Sequence, residues 1–188
     1  MEQRPNVVIA ATGSVATVKL PMLVESTRQW ANVKVILSET ARRFVSKEQL
    51  MANFGDEAEP SSPAGLGRII YLEEDEWSTF KEIGDPILHI ELGKWADALV
   101  IAPLSANSLA KMANGLCDTL LTSLFRAWDF TKPVVVAPAM NTRMWDNPVT
   151  AIHCQVLKER YRVVQVDPVV KALACKDVGM GAMAEPAT

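Results

Sequence analysis

The chain has 188 residues, 49% hydrophobic and 22% charged, with a net charge of −3 at neutral pH. That length fits one domain with a sizeable core, the weak negative charge excludes non-specific nucleic-acid binding, and no apolar stretch is long enough to span a membrane. Cysteines at 117, 154 and 175 cannot all pair and have no metal-ligand spacing, and no secretory signal precedes the first apolar run, so a reducing, cytoplasmic setting is expected.

The first apolar run is residues 7–11, followed by 33–37, 98–102, 134–137 and 163–166. Rich in Val and Ile without polar alternation, they read as strands buried on both faces of a parallel sheet. Helical patterns fall between them, the first over 15–30. The second covers 87–95, with Asp85 placed to cap it and Pro86 in its first turn. Others cover 108–114, stopping at Gly115, then 118–128 and 148–160. Alternating strand and helix predicts one α/β domain, a doubly wound, Rossmann-like parallel sheet with right-handed crossovers. Residues 53–67, acidic and rich in Gly, Pro and Ser, read as a mobile surface loop, and the closing "GMGAMAEPAT" as a tail.

Small polar residues gather where the strands end. After the first run comes "ATGSVAT", 11–17, where backbone amides and the hydroxyls of Thr12 and Ser14 meet a helix start and suit an anion. The pattern is not G-x-G-x-x-G, so it disfavours a dinucleotide and leaves room for a mononucleotide phosphate. The second run leads through Ser38 and Thr40 to Phe44, and the third places Ser105, Asn107 and Ser108 at a helix start. The fourth ends in "PAMNTRMW", 138–145, with Met140, Met144 and Trp145 around Asn141 where a plain turn would use Gly, Asp, Asn or Pro. On a parallel sheet these ends share one edge, which predicts a common pocket. His89, among Ile and Leu, reads either as a core histidine or as a catalytic one, and His153 as a surface or packing residue. Cys117 and Cys154 read as buried small hydrophobes. Cys175 stands beside Lys176 and reads either as a reactive thiolate favoured by that charge or as an incidental exposed cysteine.

The ordered segments "TGSVA", "DPILHIEL", "APLSANSLAKMANGLCD", "APAMNTRMW" and "LACKDVGMGAMAEP" resemble the homo-oligomeric flavin-containing cysteine decarboxylases over nearly the whole chain. The likeness is strongest to the eukaryotic, monofunctional branch that acts on 4'-phosphopantothenoylcysteine in coenzyme A synthesis. It implies a flavodoxin-like fold, bound FMN and a homotrimer with active sites between subunits. The implied reaction is redox-neutral overall: the substrate thiol is oxidised to a thioaldehyde, CO₂ leaves, and the enethiol is reduced to 4'-phosphopantetheine. By the same resemblance His89 serves the oxidative decarboxylation, Asn141 holds the substrate carboxylate and Cys175 donates the final proton. FMN contacts carry over onto Gly13, Ser14, Val15, Ser38, Thr40, Phe44, Ser105, Ala106, Asn107, Ser108 and Ala139. Met144 joins Asn141 in the substrate loop, and a substrate flap over about 168–186 brings Lys171, Ala172, Leu173 and Ala174. Lys176 stands where the family has glycine, Gly93 and Lys94 replace an arginine-rich stretch, and Thr119 replaces an asparagine. Rival readings are a peptidyl-cysteine decarboxylase, which Cys175 argues against, and a phosphatase-inhibiting regulatory subunit, which the joint presence of His89, Asn141 and Cys175 argues against.

Overall fold

Strands that are apolar on both sides need cover on both faces. The structure, a computed structural model that describes residues 4–55, 66–78, 80–172 and 178–188, provides it with helices. Strands β1 (Asn6–Ala11), β2 (Asn32–Leu37), β3 (Ile70–Tyr71), β4 (Ala98–Leu104), β5 (Val134–Pro138) and β6 (Val164–Gln165) form one parallel sheet in the order β3-β2-β1-β4-β5-β6. Without the short edge strand β3, that is the flavodoxin-like order. Helices α1 (Leu20–Arg28) and α2 (Lys47–Phe54) lie on one face, where Leu20, Val24 and Leu50 pack with Val7, Ile9, Val35 and Leu37. On the other face are α3 (Leu88–Trp95), α4 (Ala106–Asn114) and α5 (Leu120–Arg126). There Leu92, Leu109 and Leu124 pack with Val8, Ala10, Ile101 and Val136. After β5 come the short α6 (Thr142–Trp145) and α7 (Pro148–Tyr161), which adds Leu157 to the same core. Because β1 and β4 are neighbours whose following helices go to opposite faces, their carboxyl ends open a crevice.

Local chemistry corrects several sequence boundaries. The first helical pattern splits into a 3-10 turn, Val15–Lys19, and α1. Asp85 does not cap α3, whose N-cap is Ile87; its carboxylate accepts from the backbone N–H groups of Lys81 and Glu82 instead. Ser105 caps α4, moving its start forward to Ala106, and Thr119 caps α5. Asn53 and Phe54, read as loop, finish α2, and Leu66 is buried core, while residues 56–65 of that loop lie outside the described residues. The expected tail is a strand: β7 (Val169–Ala172) and β8 (Val178–Ala182) pair antiparallel. Cys117 is exposed, not buried, because α4 has already ended at the left-handed Gly115.

The run 33–37 contains Lys34, and the sheet buries it to 2% exposure. Its Nζ donates to the carbonyls of Leu66 (2.7 Å) and Arg68 (2.9 Å) and lies over the Trp95 ring, 5.0 Å from its centre. One buried cation thus fastens the segment that enters β3. Burial lowers its pKa from 10.5 to about 8. Below that, folded and unfolded chains both hold the proton and the cost of burying the charge is fully present. Between about 8 and 10.5 the folded chain sheds the proton first, so stability rises with pH across that window. Against a Lys34→Met variant, the native chain should gain on the order of 3 kcal/mol from neutral pH to about 10.5, read from urea unfolding of both proteins. A difference that stays constant with pH would show that Lys34 titrates normally.

Candidate active site

The crevice at the carboxyl ends of β1, β2, β4 and β5 is a cavity of about 610 Å³. Thr12, expected as an anion ligand, builds the cavity and does not line it. Its buried hydroxyl donates to the Pro103 carbonyl (2.9 Å) and accepts from the Ser105 N–H (2.7 Å), clamping the end of β1 to the end of β4. Gly13 follows, and a Cβ there would collide with Thr40 Oγ1 from the end of β2. Glycine therefore lets two strand ends approach that any side chain would hold apart.

Of the residues that the resemblance names as FMN contacts, Gly13, Ser14, Val15, Thr40, Phe44, Ser105, Ala106, Asn107 and Ala139 line the cavity. Ser38 and Ser108 do not line it but stand one step behind. Ser38 Oγ accepts from the Ala41 N–H and contacts Thr40 Oγ1, and Ser108 Oγ accepts from Ser105 Oγ at 3.2 Å. The hydroxyls and amides of Ser14, Thr40, Ser105 and Asn107 thus share the wall with the apolar Val15, Val18, Phe44, Ala139, Met140 and Met183. That donor set fits a flat ring carrying a phosphate, as FMN does.

Asn141 sits on the β5 wall as the N-cap of α6, its Oδ1 accepting from the Arg143 N–H at 2.8 Å. With the oxygen turned to the backbone, Nδ2 is the donating atom of this amide. The loop's apolar residues divide the work: Met140 is buried, Trp145 packs against the core, and Met144 reaches the cavity half-exposed. The hairpin closes the far side through Lys171 and residues 181–183. Gly181 Cα lies so close to the loop that a Cβ would strike the Met140 carbonyl, and its own carbonyl accepts from the Met140 N–H at 2.9 Å. A Cβ on Gly179 would strike the Thr142 side chain. Lys19 and Lys171, both at the cavity, share Glu185, at 2.9 and 3.0 Å. Sequence reasoning missed Lys19, Met183 and the docking role of these glycines, although "GMG" does put two glycines on one face of a strand. Ala172 ends β7, whereas Leu173, Ala174, Cys175 and Lys176 lie outside the described residues.

His89 is not brought to this cavity by its own chain. It lies in the first turn of α3, part-buried, with Nδ1 bonded to Glu76 Oε1. Sequence reading missed Glu76, which belongs to the acidic stretch "EEDE", 73–76. His153 is part-buried near Asn114, and Cys154 is half-buried with its thiol pushed up in pKa by that burial.

The flavoprotein family model matches residues 1–188. A probable phosphopantothenoylcysteine decarboxylase of Arabidopsis thaliana is 49% identical over 184 residues, which is 98% of this chain and 84% of that protein. A solved structure of a cysteine-to-serine PPC decarboxylase mutant complexed with pantothenoylaminoethenethiol has a TM-score of 0.85 at 46% identity, covering 98% of this chain and 93% of that one. A structure of the FMN binding protein AtHal3 has a TM-score of 0.82, also at 46% identity, covering 98% and 92%.

Proposed function

The chain belongs to the flavoprotein family, and on that premise we propose that it is an FMN-dependent phosphopantothenoylcysteine decarboxylase. The observation that carries the reading is the placing of the Asn141 amide on the wall of the same cavity whose hydroxyls and apolar residues fit FMN. When bound, FMN supplies the two-electron chemistry that makes the substrate's thiol carbon able to accept the charge left by CO₂. Asn141 holds the substrate carboxylate by a neutral hydrogen bond, which orients it without the ionic stabilisation that would oppose its loss. Met140, Met144 and Ala139 keep water from it.

The finer assignments rest on the same reading. His89 takes a proton in the oxidative half and Cys175 returns one to the enethiol. His89 stands outside its own chain's cavity, so a homotrimer supplies it from a neighbouring subunit. Exposed Trp77, Phe80 and Ile83 near Glu76 in sequence, and Val15 and Val18 at the cavity, give such an assembly apolar surface to bury. A cytoplasmic location suits the free thiols.

The purified protein should be yellow, elute as a trimer, and release CO₂ from 4'-phosphopantothenoylcysteine but not from a peptide ending in cysteine. Release from the peptide alone would replace this reading with the peptidyl-cysteine one.

A further inference from the structure

We infer that Glu76 is the positioning residue of the reactive imidazole: it ties up His89 Nδ1 and leaves Nε2 as the atom that exchanges a proton with substrate. This rests on the reading above, in which His89 works on the substrate.

Burying this pair costs solvation free energy. The Glu76 side chain is 7% exposed and that of His89 is 19%. Carboxylates are seldom buried to this degree without several partners. Here Oε1 bonds His89 Nδ1, while Oε2 is buried with no partner among the described residues. An apolar side chain would fill the space at lower cost. A pair that only filled core would not retain a half-satisfied carboxylate beside a titratable ring.

The surroundings hold both members in place. Leu88 and Leu92 anchor α3 in the core, which fixes the helix turn that carries the imidazole. The turn that carries Glu76 is tied to α5 through Glu73, whose Oε2 accepts from the Leu120 N–H at 2.6 Å. Glu73 Oε1 is likewise buried without a partner among the described residues. Burial pushes the Glu73 carboxyl up, the Leu120 bond opposes this, and the nearby charge of Glu76 adds to it. Lys111 of α4 and Asp118 before α5 are the other charges acting on Glu73. Arg68 pairs with Asp75 on the same turn, and Lys94 with Glu91 on α3.

The chemistry follows from the bonded atom. In neutral His89, Nδ1–H donates to Glu76 and the Nε2 lone pair points away from it. When Nε2 takes a proton, the carboxylate stabilises the imidazolium, as an orienting acid does for a catalytic histidine.

The test uses the whole FMN-loaded protein and reads the ring directly. Nitrogen-15 NMR of labelled imidazoles, with His153→Gln to assign the two histidines, should show His89 as the Nδ1–H tautomer with Nε2 unprotonated. In Glu76→Gln that preference should be lost. Turnover of 4'-phosphopantothenoylcysteine should fall by about 10²-fold or more with KM nearly unchanged. Glu76→Asp, which keeps the charge, should restore part of the rate. An Nε2–H tautomer in the native protein would overturn the proposal, as would native turnover by Glu76→Gln. If the native protein did not turn over this substrate at all, the functional reading would fall, and the nitrogen spectrum would still decide the pairing.

Discussion

Asn141→Asp should give a folded, FMN-loaded protein whose CO₂ release falls by about 10³-fold. Aspartate is as good an N-cap as asparagine, so the bond from the Arg143 N–H and the start of α6 survive. What changes is the charge that faces the substrate. Two carboxylates about 4 Å apart repel by roughly 4 kcal/mol at the effective dielectric of a partly open site, and each 1.4 kcal/mol or so is a factor of ten. Flavin absorbance and melting temperature check the fold, and a radiolabelled-carboxyl assay reads the rate. Near-native release would remove Asn141 from carboxylate binding.

His89→Asn should lower CO₂ release by about 10²- to 10⁴-fold while the melting point stays close to native. The asparagine amide can still donate to Glu76, so the buried carboxylate keeps a partner, and the apolar anchors Leu88 and Leu92 are untouched. A packing histidine would behave in the opposite way, costing a typical one to two kcal/mol of stability and leaving the folded fraction active. Mixing separates the intersubunit reading from a local one. Co-assembly of His89→Asn and Asn141→Asp chains at random should restore about a quarter of the native sites, because an intersubunit site needs one good residue from each chain. If each site lay within one chain, every site would carry one defect and mixing would restore nothing.

How much of this the sequence disclosed depended on which interaction decided each position. Runs 7–11, 98–102 and 134–137 were legible because burial on both faces leaves a continuous apolar signature, and β1, β4 and β5 lie there. A pocket at their ends followed from topology, while most of the residues named for its wall came from the family resemblance. Lys34 did not announce itself as core, since the carbonyls of Leu66 and Arg68 and the rings of Trp95 and Tyr71 that make its burial tolerable come from distant parts of the chain. Asp85 looked like a helix cap but serves the turn before it, a choice between backbone donors that lie within a few residues of each other. The hairpin of β7 and β8 was missed because glycine weakens strand patterning, and its reason, close approach to the Met140 loop, is a tertiary fact. Glu76 was hidden for a similar reason: an acidic stretch reads as solvated until the fold turns one member inward.

The three charges at the cavity mouth have a consequence for how rates are compared. Lys19, just before α1, and Lys171, on β7, are held to each other through Glu185, which lies half in solvent. Attraction between such groups is screened over about 8 Å at physiological ionic strength and over about 3 Å in molar salt. The tie between the first crossover and the closing hairpin therefore loosens as electrolyte is added, while the backbone contact of Gly181 with Met140 does not. Michaelis constants from buffers of unequal ionic strength thus refer to cavities closed to different extents, and a salt series separates the ionic part of that closure from the part made by the main chain.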